Sequence, residues 1–159
     1  MATQFYLQID GVKGDSQDAG HKGWMDVTNW NVGAHHPSGI KSGGGGSTGK
    51  TSFTDLTFST HLDPACTDMF LFCSNGKTIP KAKLECIRET GDSKLKYLVI
   101  ELENVIVSNY HTSTAGERPS ADYSLNFAKM TINYTPQTKS GSAGGVVTHY
   151  WDVNENTGG

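Results

Sequence analysis

Alternation of apolar and polar residues with a period of two runs through most of this 159-residue chain, and it confines the fold to strands. In "FYLQID", Phe5, Leu7 and Ile9 share one face, and the run stops at Gly11. "GWMDVTNWNVG" sets Met25 and Val27 on one face and Trp24, Thr28, Trp30 and Val32 on the other. Both sides of this strand carry apolar content, which marks it as central or at an interface. "FTDLTFSTHL" alternates Leu56 and Phe58 with Thr57 and Ser59.

"TIPKAKLECIRE" and "LKYLVIELENVIV" flank Thr90-Gly91-Asp92, a turn signal of the hairpin type. The expected register pairs Ala82 with Ile100 and Leu84 with Leu98, so that Lys81 faces Glu101 on the other side. Further on, "YSLNFAKMTINYTP" places Tyr123, Leu125 and Phe127 on one face and Met130, Ile132 and Tyr134 on the other, which predicts a bulge near Ala128 or Lys129. "VVTHYWDV" supplies a last strand.

One segment breaks the pattern. In "DPACTDMFLFCSNGK", Asp63 is a good N-cap and Pro64 a good first helical residue, while Cys66, Met69, Phe70 and Cys73 recur at helical spacing before Asn75-Gly76. One short amphipathic helix is expected at about 64–74. With about seven strands around it, the fold class is all-β, a barrel or sandwich with the helix as plug or side cover. A chain of this length buries roughly two thirds of its unfolded surface in one core, so 1–159 reads as a single domain.

The formal net charge is −3, which leaves no electrostatic footprint for nucleic acid or an anionic membrane. The N-terminal "MATQFYLQID" has no basic region, long apolar run or small-residue cleavage site. No stretch approaches the length of a membrane span. Cytosolic synthesis is therefore expected, with any export by a route other than a classical signal. Cys66, Cys73 and Cys86 form an odd set without a C-x-x-C pair, as reduced thiols do.

Between the second and third strands lie about twenty residues without apolar periodicity, "AHHPSGIKSGGGGSTGKTS". This stretch contains "GGGSTGKT", a literal match to a phosphate-binding loop at Gly44, Gly49, Lys50 and Thr51. Such a loop cradles phosphate only between a buried strand and a helix N-terminus. Here "PSGIKSG" precedes it and the strand-like "TSFTDLTFS" follows, so the match is read as accidental. His35 and His36 point apart and lack a third ligand at short spacing, which argues against zinc. Glu101 and Glu103 would stand about 7 Å apart on one strand face, a spacing suited to acid/base work on a glycosidic bond. Lys81 and Lys83 opposite them make a solvated charge ladder the better reading. Cys66 and Cys73 fall on the apolar face of the helix as inert core thiols. No catalytic residue, cofactor or metal is expected. Trp24, Trp30 or Trp151 could stack a sugar in a monomeric sandwich, the competing function class.

The stretch "GHKGWMDVTNW" at 20–30 resembles the signature of the haemolysin-coregulated protein (Hcp) family, the tube protein of type VI secretion systems. "FTDLTFSTHLDPACTDMF" resembles the family's strand-then-helix segment. "NGKTIPKAKLECIRETG", "YLVIELENVIVSNY", "ERPSADYSLNFAKMTINYTPQ" and "HYWDVNEN" resemble its later strands in order. The resemblance implies a two-sheet β-barrel with a lateral helix and a structural role without enzymatic activity. It further implies rings of six copies that stack into a tube and are expelled by a contractile sheath, with effectors carried in the pore. Implied partners are other copies of the chain, sheath, baseplate and tip spike proteins, and secreted effectors, without nucleic acid or membrane insertion. The Gly-rich loop at about 34–52 then becomes a ring-stacking element, with His35, His36, Ile40, Lys41, Gly43, Gly44, Gly45, Gly46 and Lys50 as its candidates. Trp24, Trp30, Lys81 and Glu101 are the candidates for subunit contact.

Overall fold

In a computed structural model, residues 2–37 and 50–159 are described. The strands follow the alternation: β1 (Ala2–Ile9), β2 (Met25–Asn31), β3 (Ala34–His35), β4 (Ser52–Phe53), β5 (Leu56–His61), β6 (Ile79–Thr90), β7 (Ser93–Ser113), β8 (Ser120–Tyr134), β9 (Val147–Asp152) and β10 (Thr157–Gly158). One helix, α1 (Ala65–Asn75), stands between β5 and β6. The order β8-β5-β2-β1-β6-β7, with β7 pairing back onto β8, closes a six-stranded barrel. β9 and β10 extend it from the second half of β8, and β3 with β4 forms a separate two-stranded ribbon. Closure leaves the barrel strands without long open edges. The all-β barrel with one short helix is thus the observed class.

Inside, Leu7, Ile9, Met25, Leu56, Phe58, Leu84, Ile100, Leu102, Tyr123 and Leu125 form one continuous core. Helix α1 seals it with Ala65, Met69 and Phe72. Burial of each large side chain there is worth ~1.5–3 kcal/mol. The Asp63 carboxylate accepts from the Ala65 N–H at 3.0 Å, and Gly76 ends the helix at φ +66°, its N–H donating to the Phe72 carbonyl. Phe70, expected on the apolar face, is instead 59% exposed and rests edge-on against Tyr110. Phe72 takes the inward place because the helix meets the barrel along Ala65, Met69 and Phe72, one strip of the 3.6-residue period.

The long hairpin is shifted by two residues from its expected register. Ala82 pairs with Leu102 and Leu84 with Ile100, so Lys81 faces Glu103 and Lys83 faces Glu101. Two devices each contribute one residue. The turn is made by Gly91 and Asp92 rather than Gly91 alone, with Thr90 opposite Ser93. A bulge then skips Tyr97, between the Ile87–Lys96 and Cys86–Leu98 pairs. A two-residue shift preserves which face each side chain occupies, so apolar still meets apolar and lysine still meets glutamate.

At Ala128 no residue is inserted against β7, because Val105 opposite Phe127 and Glu103 opposite Lys129 keep one register. Both strands change face together instead. On β7 the inward positions pass from Ile100 and Leu102 to Val105 and Val107; on β8 they pass from Tyr123, Leu125 and Phe127 to Met130. Asn104, at φ +52°, turns the β7 backbone at that point. A different irregularity rotates β2: the register to β5 shifts between Val27 and Asn29, which brings Trp30 opposite Phe58 and back to the core side with Met25 and Val27.

Candidate functional site

The root of the Gly-rich segment is a short ribbon. Ala34 pairs with Phe53 and His35 with Ser52; His36 Nδ1 lies 3.0 Å from Thr51 Oγ1. The ribbon is anchored by the Gly33 N–H donating to Thr54 Oγ1 at 2.7 Å and by Phe53 edge-on to Phe127. Thr51 therefore runs straight into a strand, and the helix of this chain begins only at Ala65. Lys50 is exposed beside this ribbon. Among the described residues, the Lys50-Thr51 pair lacks the following helix N-terminus that a phosphate-binding loop uses. Of the stacking candidates, Ile40, Lys41, Gly43, Gly44, Gly45 and Gly46 lie outside the described residues.

One outer face of the barrel is a charge ladder. Across β6, β7, β8 and β9, paired positions carry Lys81, Glu103, Lys129 and Asp152, and the Asp10 N–H on the β1 side donates to the Lys81 carbonyl. The sign alternates at every step. Lys129 lies 3.3 Å from Glu103, and in the adjacent row Lys83 lies 3.7 Å from Glu101. Lys129 also sits over the Tyr150 ring, 4.7 Å from its centroid. The ladder lines a shallow concavity of about 430 Å³. Glu101 and Glu103, each opposed by a lysine, are charge-ladder members rather than an acid/base pair.

The other outer face is built mostly from short amide and hydroxyl side chains, with Asp122 and His111 among them. Asn31, Thr57, Ser124 and Asn109 form one row across β2, β5, β8 and β7; Asn29, Ser59, Asp122 and His111 form the next. Ser59 Oγ donates to Asp122, and nearby Asn126 Nδ2 donates to Asp55 at 2.9 Å. None of these eight row positions is a lysine or arginine.

Trp24 and Trp30 are engaged by other aromatic rings, and Trp151 is half-buried on β9. Trp30 packs edge-on against Phe5, and Trp24 lies edge-on to the buried His21. Cys86 is fully buried, and burial pushes its thiol up to about 12, so it stays protonated. Cys66 and Cys73 are free and half-buried. Among the described residues, no three His, Cys, Asp or Glu side chains converge as a metal site.

A cluster on β1 and β6 was not legible in the alternation. Tyr6 and Glu85 are cross-strand partners, placed by parity on the outer face, yet both are buried. Residues 11–24 fold over them, and His21 stacks on the Tyr6 ring at 4.2 Å. An aromatic residue at an outward strand position was the available signal that something covers this face.

A family model described as "Type VI secretion system effector, Hcp" matches residues 6–134. This chain belongs to the Hcp family. It is 35% identical to Protein hcp1 of Pseudomonas aeruginosa, an alignment spanning 98% of both chains. Hcp1 from Salmonella typhimurium superposes with a TM-score of 0.83 at 29% identity, covering 99% of each chain. A structure described as a type six secretion system protein superposes at 0.92, also at 29% identity, over 99% of this chain and 100% of the other. Hcp proteins are secreted tube components of type VI secretion, and no helix among the described residues is long and apolar enough to cross a membrane.

Proposed function

We propose that this Hcp chain is the structural subunit of a type VI secretion tube, assembling as rings of six copies that stack, are driven out by a contractile sheath, and carry effectors in the pore. The observation that carries this reading is likeness to Hcp1 proteins over the whole chain, in sequence and in fold together. Surface chemistry supports self-association. Ile132, Tyr134, Val146, Val147 and Tyr150 are all exposed around β9, an apolar set that a neighbouring copy would cover. Among the described residues, Val147 to His149 pair with β8 alone, which leaves the other side of that strand for a partner.

In this reading the segment at 34–52 contacts the next ring, its β3–β4 root fixing where it leaves the barrel. Trp30, packed against the core, acts by shaping the barrel wall, and Trp24, half-buried beside His21, belongs to the segment over the outer face, while Lys81 and Glu101 are the exposed candidates for contact between copies. Sheath, baseplate and tip spike meet the assembled tube. The role is mechanical and requires no catalysis.

Light scattering coupled to size exclusion, with negative-stain images of the same peak, tests the reading. Six copies in a ring are the expected result; a clean monomer at high concentration would overturn it. Hydrogen exchange of the 34–52 segment is expected to slow between isolated rings and tubes, and equal protection in both would remove its stacking role.

A further inference from the structure

Residues 11–24 cross the outer face of β1 and β6 and close over it through one histidine. His21 is 6% exposed and its two ring nitrogens both meet carboxylates: Nδ1 lies 2.6 Å from Asp18 and Nε2 lies 3.4 Å from Glu85. Glu85 is itself 4% exposed and is held by Lys96 at 2.6 Å. Asp18 also receives the Gly20 N–H at 3.2 Å and Lys94 at 3.2 Å. The ring is fixed from its sides by Tyr6, stacked at 7°, and by Trp24, edge-on at 4.7 Å.

We propose that the 11–24 cover is a proton-operated clasp, closed while the His21 ring carries both protons and loosened when it carries one. The reason is the donor inventory. An imidazolium donates from both nitrogens; the neutral ring, in either tautomer, turns a lone pair towards one of two carboxylates. The carboxylate that faces a lone pair loses one of its donors and keeps only Lys96, at Glu85, or Lys94 and the Gly20 N–H, at Asp18, and the lone-pair repulsion is costly at so buried a site.

The charged groups around the ring come from every neighbouring element. Asp15 and Asp18 lie on the cover itself, Asp26 on β2, Glu85 and Glu89 on β6, and Lys94 and Lys96 on β7, with the Tyr6 phenol on β1. The hydrogen bond from His21, reinforced by Lys94, holds the Asp18 carboxyl below its usual range. Asp18 therefore contributes throughout the range above ordinary carboxylate titration and fails only in strong acid. Opening bares Tyr6 and Glu85.

Nitrogen-15 NMR of the full chain between pH 5.5 and 8.5 tests this. The expected result is a His21 ring protonated at both nitrogens at the acid end with residues 14–22 rigid by heteronuclear NOE. On loss of the second proton those residues should become mobile while barrel amides stay unchanged. Glu85→Gln supplies an amide that can either donate or accept, so the cover should stay closed at both ends of the range. A single neutral tautomer throughout with a rigid cover would overturn the proposal. So would a ring that titrates without moving the cover, or a full pH response retained in Glu85→Gln.

Discussion

The two outer faces of one barrel solve the same problem with opposite chemistry. On β6, β7, β8 and β9, long side chains of alternating sign cover the sheet; on β2, β5, the first half of β8 and the second half of β7, short amides and hydroxyls do. The ladder depends on charge and therefore on salt, while the amide and hydroxyl rows, with Asp122 and His111 their titratable members, depend on it less. What permits both is a single shared interior, switched from one face parity to the other at Asn104 and Ala128. Surface character is thus free to differ while the core stays continuous.

The largest test is of that shared interior. Leu102→Ala under the ladder and Leu125→Ala under the amide rows should each cost ~2–5 kcal/mol in thermal or denaturant unfolding. Two separate transitions in either variant would show the halves to be independent. A smaller effect is expected at the helix junction. Burial, with nearby Asp15 adding to it, raises the Asp63 carboxyl to about 6. A raised acid stabilises the fold when protonated, so stability contributed here is full below the ordinary carboxylate value and lost as pH rises through about 6. Asp63→Asn should keep the Ala65 contact, gain ~1 kcal/mol at pH 7.5 and flatten that part of the pH profile, as read by melting at several pH values.

Tyr123 sharpens the contrast from inside. Its hydroxyl is buried beneath the amide face and finds no hydrogen-bond partner among the described residues. Tyr123→Phe should stabilise by ~1 kcal/mol, and a loss of similar size would mean the hydroxyl is satisfied in solution. Smallest is the ladder itself. Glu103→Lys places like charges beside Lys81 and Lys129 and should cost ~0.5 kcal/mol at low salt, recovered at high salt. Ser124→Lys, with Asp122 two residues away on the same face, should show a weaker salt dependence than Glu103→Lys.

The sequence made the strands legible because burial on one side of a sheet imposes a period of two, and Leu56, Phe58, Leu84 and Leu125 obey it. Register was legible only to within face parity. The turn length and the bulge at Tyr97 leave little trace in local composition, and together they moved the Lys81 pairing from Glu101 to Glu103. The face change near Ala128 was located correctly, while its form, a backbone turn at Asn104 on the partner strand, depends on a residue distant in sequence. Trp30 was misplaced for the same kind of reason, a bulge in its own strand. The His21 cluster was hidden because Tyr6 and Glu85 occupy positions that alternation assigns to solvent. Only a covering segment from elsewhere in the chain makes them interior.

The seams of the barrel also set a timetable. β6, β7 and β8 follow one another as a meander, so their contacts are local, whereas β1 must find β6 and β5 must find β8 across long stretches of chain. Local pairs form before distant ones because less loop entropy is lost. During synthesis the first strands leave the ribosome well before β6 and β8 exist. The closed barrel, and with it any surface through which copies could recognise one another, therefore appears only when translation has passed β8, which keeps unfinished chains out of the assembly.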